Sequence, residues 1–175
     1  RTPTYTKPML TLPGALPREL NRLDIKNRTP TPTEAMDAVR RRLEAAFPGL
    51  NALIVVDQVS EPDCGVVTSA MREALAQLAA AHPAVFVLAD SRERIGQFRN
   101  VHAKPNVSEC LKASGRNEPD WAEAVCELRG RTGRTVFCTR GGEGSAVAAP
   151  DQELVLVPPY PVTGPIDVVG AGDSC

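Results

Sequence analysis

The chain reads as an α/β protein built on a mainly parallel sheet with helices on both faces. Ala52-Leu-Ile-Val-Val-Asp57, Ala84-Val-Phe-Val-Leu-Ala-Asp90 and Arg134-Thr-Val-Phe-Cys-Thr139 are short, nearly continuous apolar runs that end in a polar residue. Such runs mark strands buried on both faces of a parallel sheet. Between them lie segments whose apolar residues recur at spacings of three and four, the period of an amphipathic helix. Strands and helices in alternation imply right-handed crossovers and a layered core.

The N-terminal segment stands apart. Pro3, Pro8, Pro13, Pro17 and Pro30 exclude one long helix there. Tyr5 to Leu12 is expected as one edge strand and Leu20 to Ile25 as another. Residues 1–30 are expected to hold lid or edge strands, with Tyr5 to Ile25 as a lid-like strand pair that packs on a partner copy, and 31–175 are expected to form the α/β core.

Within the core, Thr31-Pro-Thr-Glu34 opens a helix, with Thr31 as N-cap, Pro32 in the first turn and Glu34 closing a capping box. Met36, Val39, Leu43 and Phe47 make its apolar face, and Pro48-Gly49 stops it. After the strand at Ala52, Glu61-Pro-Asp63 begins a helix with Val67, Ala70, Met71, Ala74, Leu75 and Leu78 on one side, and His82-Pro83 ends it. Polar Ser91 to Asn100 leads to a weak strand at Val101 to Ala103. A short helix from Asn106 follows, then one from Asn117 to Leu128 that buries Trp121, Val125 and Leu128. A hairpin of Ser145–Ala149 and Leu154–Val157 comes after the strand that ends at Thr139. Asp57, Asp90, Lys104, Thr139 and Gly170 all fall at the carboxyl ends of strands, where sheets of this kind bind ligands.

Composition excludes several functions. The 175 residues are 42% hydrophobic and 23% charged, with a net charge of -1. That balance attracts neither nucleic acid nor an anionic membrane surface. No apolar run approaches the roughly 20 residues of a membrane helix; Ala74 to Ala81 is short and broken by Gln77. Cys64, Cys110, Cys126, Cys138 and Cys175 form no C-x-x-C pair, and His82 and His102 lie at no zinc spacing. They read as buried or incidental thiols in a reducing cytosol. The Arg-Thr-Pro-Thr start and the end at Cys175, directly after a glycine turn, are expected of a piece of a longer gene product.

The motifs carry the chemistry. In Asp167-Val-Val-Gly-Ala-Gly-Asp173 the paired glycines allow a tight turn whose amides converge on an anion. That nest suits a phosphoryl group in transit, and Asp173 beside it suits a base for an attacking hydroxyl. The same residues also read as a dinucleotide fingerprint with Cys175 in place of the third glycine, or as a plain glycine turn. Thr139-Arg-Gly141-Gly-Glu-Gly144 follows a strand, so backbone there can approach a nucleotide phosphate; a flexible turn is the alternative. Asn106-Val-Ser-Glu109 has the spacing to hold water around Mg2+, and equally the spacing of a capping box. Arg92, two residues after Asp90, reaches toward phosphate or makes a surface ion pair. Arg140 and Arg40-Arg-Arg42 read as solvated charge. A Ser-His-Asp site lacks its G-x-S-x-G elbow.

Taken together these residues resemble the ribokinase-like, phosphofructokinase-B type, family of carbohydrate kinases. Gly170 to Asp173 after Asp167 is similar to its C-terminal signature, Asn106-x-x-Glu109 to its magnesium and phosphate motif, and Thr139-x-Gly141-x-x-Gly144 to its nucleotide motif. The resemblance implies Asp173 as catalytic base and Gly170, Ala171 and Gly172 as anion hole. It also implies Asn106 and Glu109 around Mg2+, and Thr139, Gly141, Gly144 and Lys104 at ATP. A phosphate contact at Asp90 and Arg92 and a cytoplasmic sugar or sugar-phosphate substrate complete the expectation. Arg1 to Lys7, Asn21 to Asp24, Asp57 and Asp90-x-Arg92 resemble most the heptose-phosphate kinases of ADP-heptose synthesis. Gln58 and Val59 depart from that subgroup, and the family's glycine-rich sugar-binding segment and its last helices have no counterpart here. Two other readings remain open: a family member that binds nucleotide or sugar without turnover, and a Rossmann-type oxidoreductase.

Overall fold

The computed structural model describes residues 3–14, 17–161 and 163. The N-terminal segment is a ribbon of four short strands, β1 (Thr4–Thr6), β2 (Met9–Leu10), β3 (Arg18–Glu19) and β4 (Leu23–Ile25). β1 pairs antiparallel with β4 and β2 with β3, so the chain runs out and returns along itself. The strand expected over Tyr5 to Leu12 is therefore two pieces, while that expected over Leu20 to Ile25 is β4 alone, with β3 lying before it. Pro8 explains one break: its carbonyl accepts the Leu20 amide at 2.9 Å, but it has no N–H to return.

Helix α1 (Thr33–Ala46) follows. Its N-cap is Pro32, which makes no side-chain cap, and this corrects the expected Thr31 capping box. Thr31 instead spends its hydroxyl on the Gly65 carbonyl at 2.8 Å. Phe47 is fully buried and Met36 and Leu43 partly so, while Val39 is exposed, so the apolar face is narrower than its period implied. A 3-10 turn, Phe47–Gly49, ends the helix.

A six-stranded sheet forms the core. Its strands are β5 (Ala52–Asp57), β6 (Phe86–Ser91), β7 (His102–Ala103), β8 (Val136–Thr139), β9 (Ser145–Ala148) and β10 (Val155–Val157), in the order β10-β9-β8-β7-β6-β5. β5 to β8 are parallel, and β9 and β10 form the antiparallel end. Helix α2 (Ser69–Ala81) links β5 to β6, and α3 (Val107–Ser114) and α4 (Trp121–Thr132) link β7 to β8. α2 starts at an N-cap on Thr68, whose hydroxyl accepts the Met71 amide, rather than at Glu61. Asp63 has a left-handed φ of 57°, which no helix interior accommodates, and its carboxylate accepts the Ser69 amide at 2.6 Å.

Because β5 to β8 step across the sheet in chain order, right-handed crossovers put their helices on one face. That face carries Val55, Val87, Ala89, Ala103, Val136, Cys138, Ala146 and Ala148, all buried, together with Met71, Leu75, Val125 and Leu128 from the helices. The α/β class and the mainly parallel sheet are those expected, and among the described residues the helices gather on this side. β5 is the sheet's edge, and Ile54, 70% exposed, shows that it is not covered on both faces as its apolar run implied. No helix among the described residues is long and apolar enough to cross a membrane.

Candidate functional site

The parallel strands all end at one rim, and the fold delivers most of the chemistry-bearing residues there. Asp57 closes β5, Asp90 lies one residue from the end of β6, Lys104 directly follows β7 and Thr139 closes β8. Asp57 is turned inward: it is 5% exposed and accepts the Ser91 hydroxyl at 2.7 Å, with Arg94 Nε at 3.5 Å. Arg94 has no counterpart among the expected site residues. Its signal was only a third charge within Arg92-Glu93-Arg94, too short a run to separate a buried arginine from solvated ones.

Asp90 pairs with Lys104, Oδ2 to Nζ 3.0 Å, and both side chains are largely buried. Lys104 is anchored by its amide, which donates to the Ala89 carbonyl at 2.9 Å. Arg92 is exposed and borders, with Glu109 and Lys112, an open depression of about 330 Å3.

Asn106 and Glu109 hold each other at the start of α3. Asn106 Oδ1 accepts the Glu109 amide and Glu109 Oε2 accepts the Asn106 amide, each at 2.8 Å. The capping box expected as an alternative is thus present in full. Burial raises the Glu109 carboxyl above the ordinary carboxylate range and Asp90 adds to the rise, while the Asn106 amide, Lys104 and Arg92 offset part of it. A carboxylate with one oxygen on a backbone amide still presents its second oxygen. Hard oxygen donors of this kind fit Mg2+, which keeps several waters and takes one or two carboxylates. Among the described residues no cluster of three or more His, Cys, Asp or Glu could cage a metal ion directly.

Thr139 stands beside this box. Its amide donates to the Pro105 carbonyl at 2.9 Å, and Asn106 and Thr139 form a parallel bridge. The glycine loop then tightens into a 3-10 turn, Gly141–Glu143, closed by Arg140 N–H to the Gly144 carbonyl at 2.8 Å. Gly141 and Gly144 have φ of 56° and 87°. A side chain at Gly144 would lie 2.2 Å from the Val157 carbonyl, so this glycine is required by close backbone approach. Asn106, Ser108, Trp121, Thr139 and Gly141 border one open cavity of about 580 Å3.

Arg140 is not the solvated charge its sequence context implied. Its guanidinium lies 4.2 Å from the Trp121 ring centre and pairs with Glu143. Beneath the site Cys110 and Cys138 touch, Sγ to Sγ 3.8 Å, and that contact together with burial pushes the Cys110 thiol far above its usual range. Cys64, Cys110, Cys126 and Cys138 are all free thiols. The expectations for Asp167, Gly170, Ala171, Gly172, Asp173 and Cys175 lie outside the described residues.

A family model described as pfkB family carbohydrate kinase matches residues 30–175. No curated protein matches the chain significantly. Among solved structures, the chain is similar to ribokinase from Giardia lamblia, at 16% identity and a TM-score of 0.64, over 97% of this chain and 52% of that one. It is similar to phosphofructokinase-2 from Escherichia coli in complex with fructose-6-phosphate, at 22% identity and a TM-score of 0.56, over 88% and 51%. It is also similar to Arabidopsis thaliana ribokinase complexed with ribose and ATP, at 16% identity and a TM-score of 0.57, over 88% and 49%. The chain spans about half the length of these solved structures. At such identities the likeness speaks to the fold.

Proposed function

Because the chain belongs to the pfkB family of carbohydrate kinases, we propose that the whole protein moves the γ-phosphoryl group of ATP to a hydroxyl of a sugar or sugar phosphate. The observation that carries this reading is the parallel bridge between Asn106 and Thr139, which sets Asn106 of the one motif beside Thr139 and Gly141 of the other at the border of one cavity. Two of the neighbours named above were solved with ligands, one with ribose and ATP and one with fructose-6-phosphate, which supports this pair of substrates.

Phosphoryl transfer leaves little covalent work for the protein; positioning and charge stabilisation dominate. Thr139 and the glycines at 141 and 144 let the triphosphate lie against backbone, and Lys104 adds positive charge held in place by Asp90. Asn106 and Glu109 would hold Mg2+, which when bound would supply charge neutralisation on the phosphates. Asp173 takes the proton of the acceptor hydroxyl, and the amides of Gly170, Ala171 and Gly172 receive the negative charge that grows as the phosphoryl group moves. The ribbon of β1 to β4 acts as a lid over the acceptor and as the contact of a homodimer, in the cytoplasm. Among acceptors, the Asp90-x-Arg92 pattern and residues 1–7 favour a heptose phosphate, with Arg92 at its phosphate.

The test is ADP release by the full-length gene product over a panel of sugars and sugar phosphates, beside Asp173→Asn, which keeps the shape and removes the base. One sugar should stimulate release, and the variant should lose about three orders of magnitude or more while remaining folded. Equal rates in the two proteins would remove Asp173 as the base. Nucleotide binding with no sugar-dependent release would leave a binding-only family member.

A further inference from the structure

The turn between β5 and α2, residues 58–68, is the joint where the ribbon meets the sheet. From the ribbon side, Lys26 Nζ lies 3.4 Å from Glu61, and Asn27 Nδ2 donates to the Cys64 carbonyl at 3.5 Å. Thr31 gives its amide to the Asp63 carbonyl at 2.9 Å and its hydroxyl to that of Gly65 at 2.8 Å. From the sheet side, Arg94 grips the same turn. Its Nη1 donates to the Ser60 carbonyl at 2.9 Å, and its Nη2 donates to those of Val59 and, at 3.4 Å, Glu61.

The guanidinium is itself fixed from below. Arg94 is 9% exposed, and its Nε stands 3.5 Å from Asp57 Oδ2 without a hydrogen bond of its own. The Arg94 amide donates to Ser91 Oγ at 3.1 Å, and that hydroxyl in turn donates to Asp57. An apolar side chain in this space would leave the buried Asp57 carboxylate without its charged neighbour and three carbonyls without a donor, so Arg94 also satisfies the joint it spans. What a planar fork supplies is direction: it fixes three successive carbonyls at once, which a lysine, a single point donor, does not.

We infer that Arg94 is a positioning residue that sets the angle of the ribbon over the carboxyl rim through the Val59–Glu61 turn, and thereby governs binding of the phosphoryl acceptor. This rests on the reading of the ribbon as a lid over the acceptor. ATP lies by that reading at Thr139 and the glycine loop, with β6 and β7 between it and the joint, so the two substrates respond differently to Arg94.

Full-length Arg94→Lys, Arg94→Met and the milder Thr31→Val, which loosens the joint from its other side, provide the test. Steady-state kinetics and amide hydrogen exchange are both read. The Arg94 variants should raise the acceptor KM at least about tenfold while the ATP KM moves less than about twofold, with lysine no rescue. Thr31→Val should give the same split, smaller. Exchange should quicken at residues 59–65 and along the ribbon while β6 and β8 keep their protection. Unchanged exchange at the ribbon overturns the inference, as does a parallel rise in both KM values or a loss of protection across the whole sheet. Turnover by the wild type judges the kinase reading separately, since the exchange pattern is decisive for the joint whether or not any sugar is phosphorylated.

Discussion

Lys104 Nζ lies 3.0 Å from Asp90 Oδ2, joining the ends of two neighbouring parallel strands at the rim. Both side chains are mostly withdrawn from water, so the pair is screened less than a surface ion pair. Lys104→Met should cost about 1–3 kcal/mol, because it takes from Asp90 a charged partner at a desolvated position. Adding Asp90→Asn should recover much of the stability but none of the ATP affinity. A double-mutant cycle with chemical denaturation and ATP titration checks both arms.

The Asn106–Glu109 box separates structure from chemistry. Asn106→Ala removes the cap and should cost about 1 kcal/mol. Glu109→Gln keeps a side chain that completes a capping box and should barely move the melting temperature at acidic pH, where Glu109 is protonated. If Glu109 also orders Mg2+, the glutamine variant nonetheless loses activity and needs more Mg2+ to saturate, as a magnesium titration would reveal.

Glu109 also sets a pH dependence. Its carboxyl titrates above its unfolded value, mainly through burial. The stability linked to its protonated form is complete below roughly pH 4.3, the ordinary glutamate value, and is lost as pH rises through the higher folded value. The stability of the wild type relative to Glu109→Gln should therefore fall as pH rises through this window. Denaturation curves at a series of pH values measure it; a difference that stays flat or grows with pH contradicts the burial argument.

Gly144 and Gly142 form a matched pair. At Gly144 a Cβ meets the Val157 carbonyl at 2.2 Å and φ is 87°, whereas at Gly142 nothing lies within 4 Å. Gly144→Ala should destabilise by about 2 kcal/mol or more, and Gly142→Ala by less than about 0.5 kcal/mol. Thermal melts of the two variants side by side are sufficient.

Trp121 is the sole tryptophan and borders the 580 Å3 cavity with Thr139 and Asn106. Its emission should change saturably on titration with ATP and Mg2+ and stay constant with sugar alone. An unchanged spectrum at saturating nucleotide would move the nucleotide away from this cavity.

The parallel core and the rim position of Asp57, Asp90, Lys104 and Thr139 were legible in the sequence, because runs such as Ala52–Asp57 and Phe86–Ser91 carry their secondary structure locally. So was the Asn106–Glu109 box, since a capping box spans three residues and needs nothing from the rest of the chain. Helix starts were legible only where no distant group competed. Thr31 was lost as an N-cap to Gly65, and Asp63 became a capping contact to Ser69 instead of a first-turn residue. Exposure of β5, the inward turn of Asp57, the buried fork of Arg94 and the stacking of Arg140 on Trp121 were decided by the tertiary structure alone. Each depends on which strand forms the edge or on which side chains meet across the fold. A pattern of near neighbours records period and local hydrogen bonding, while the fate of a long charged side chain is set by partners far away in the chain.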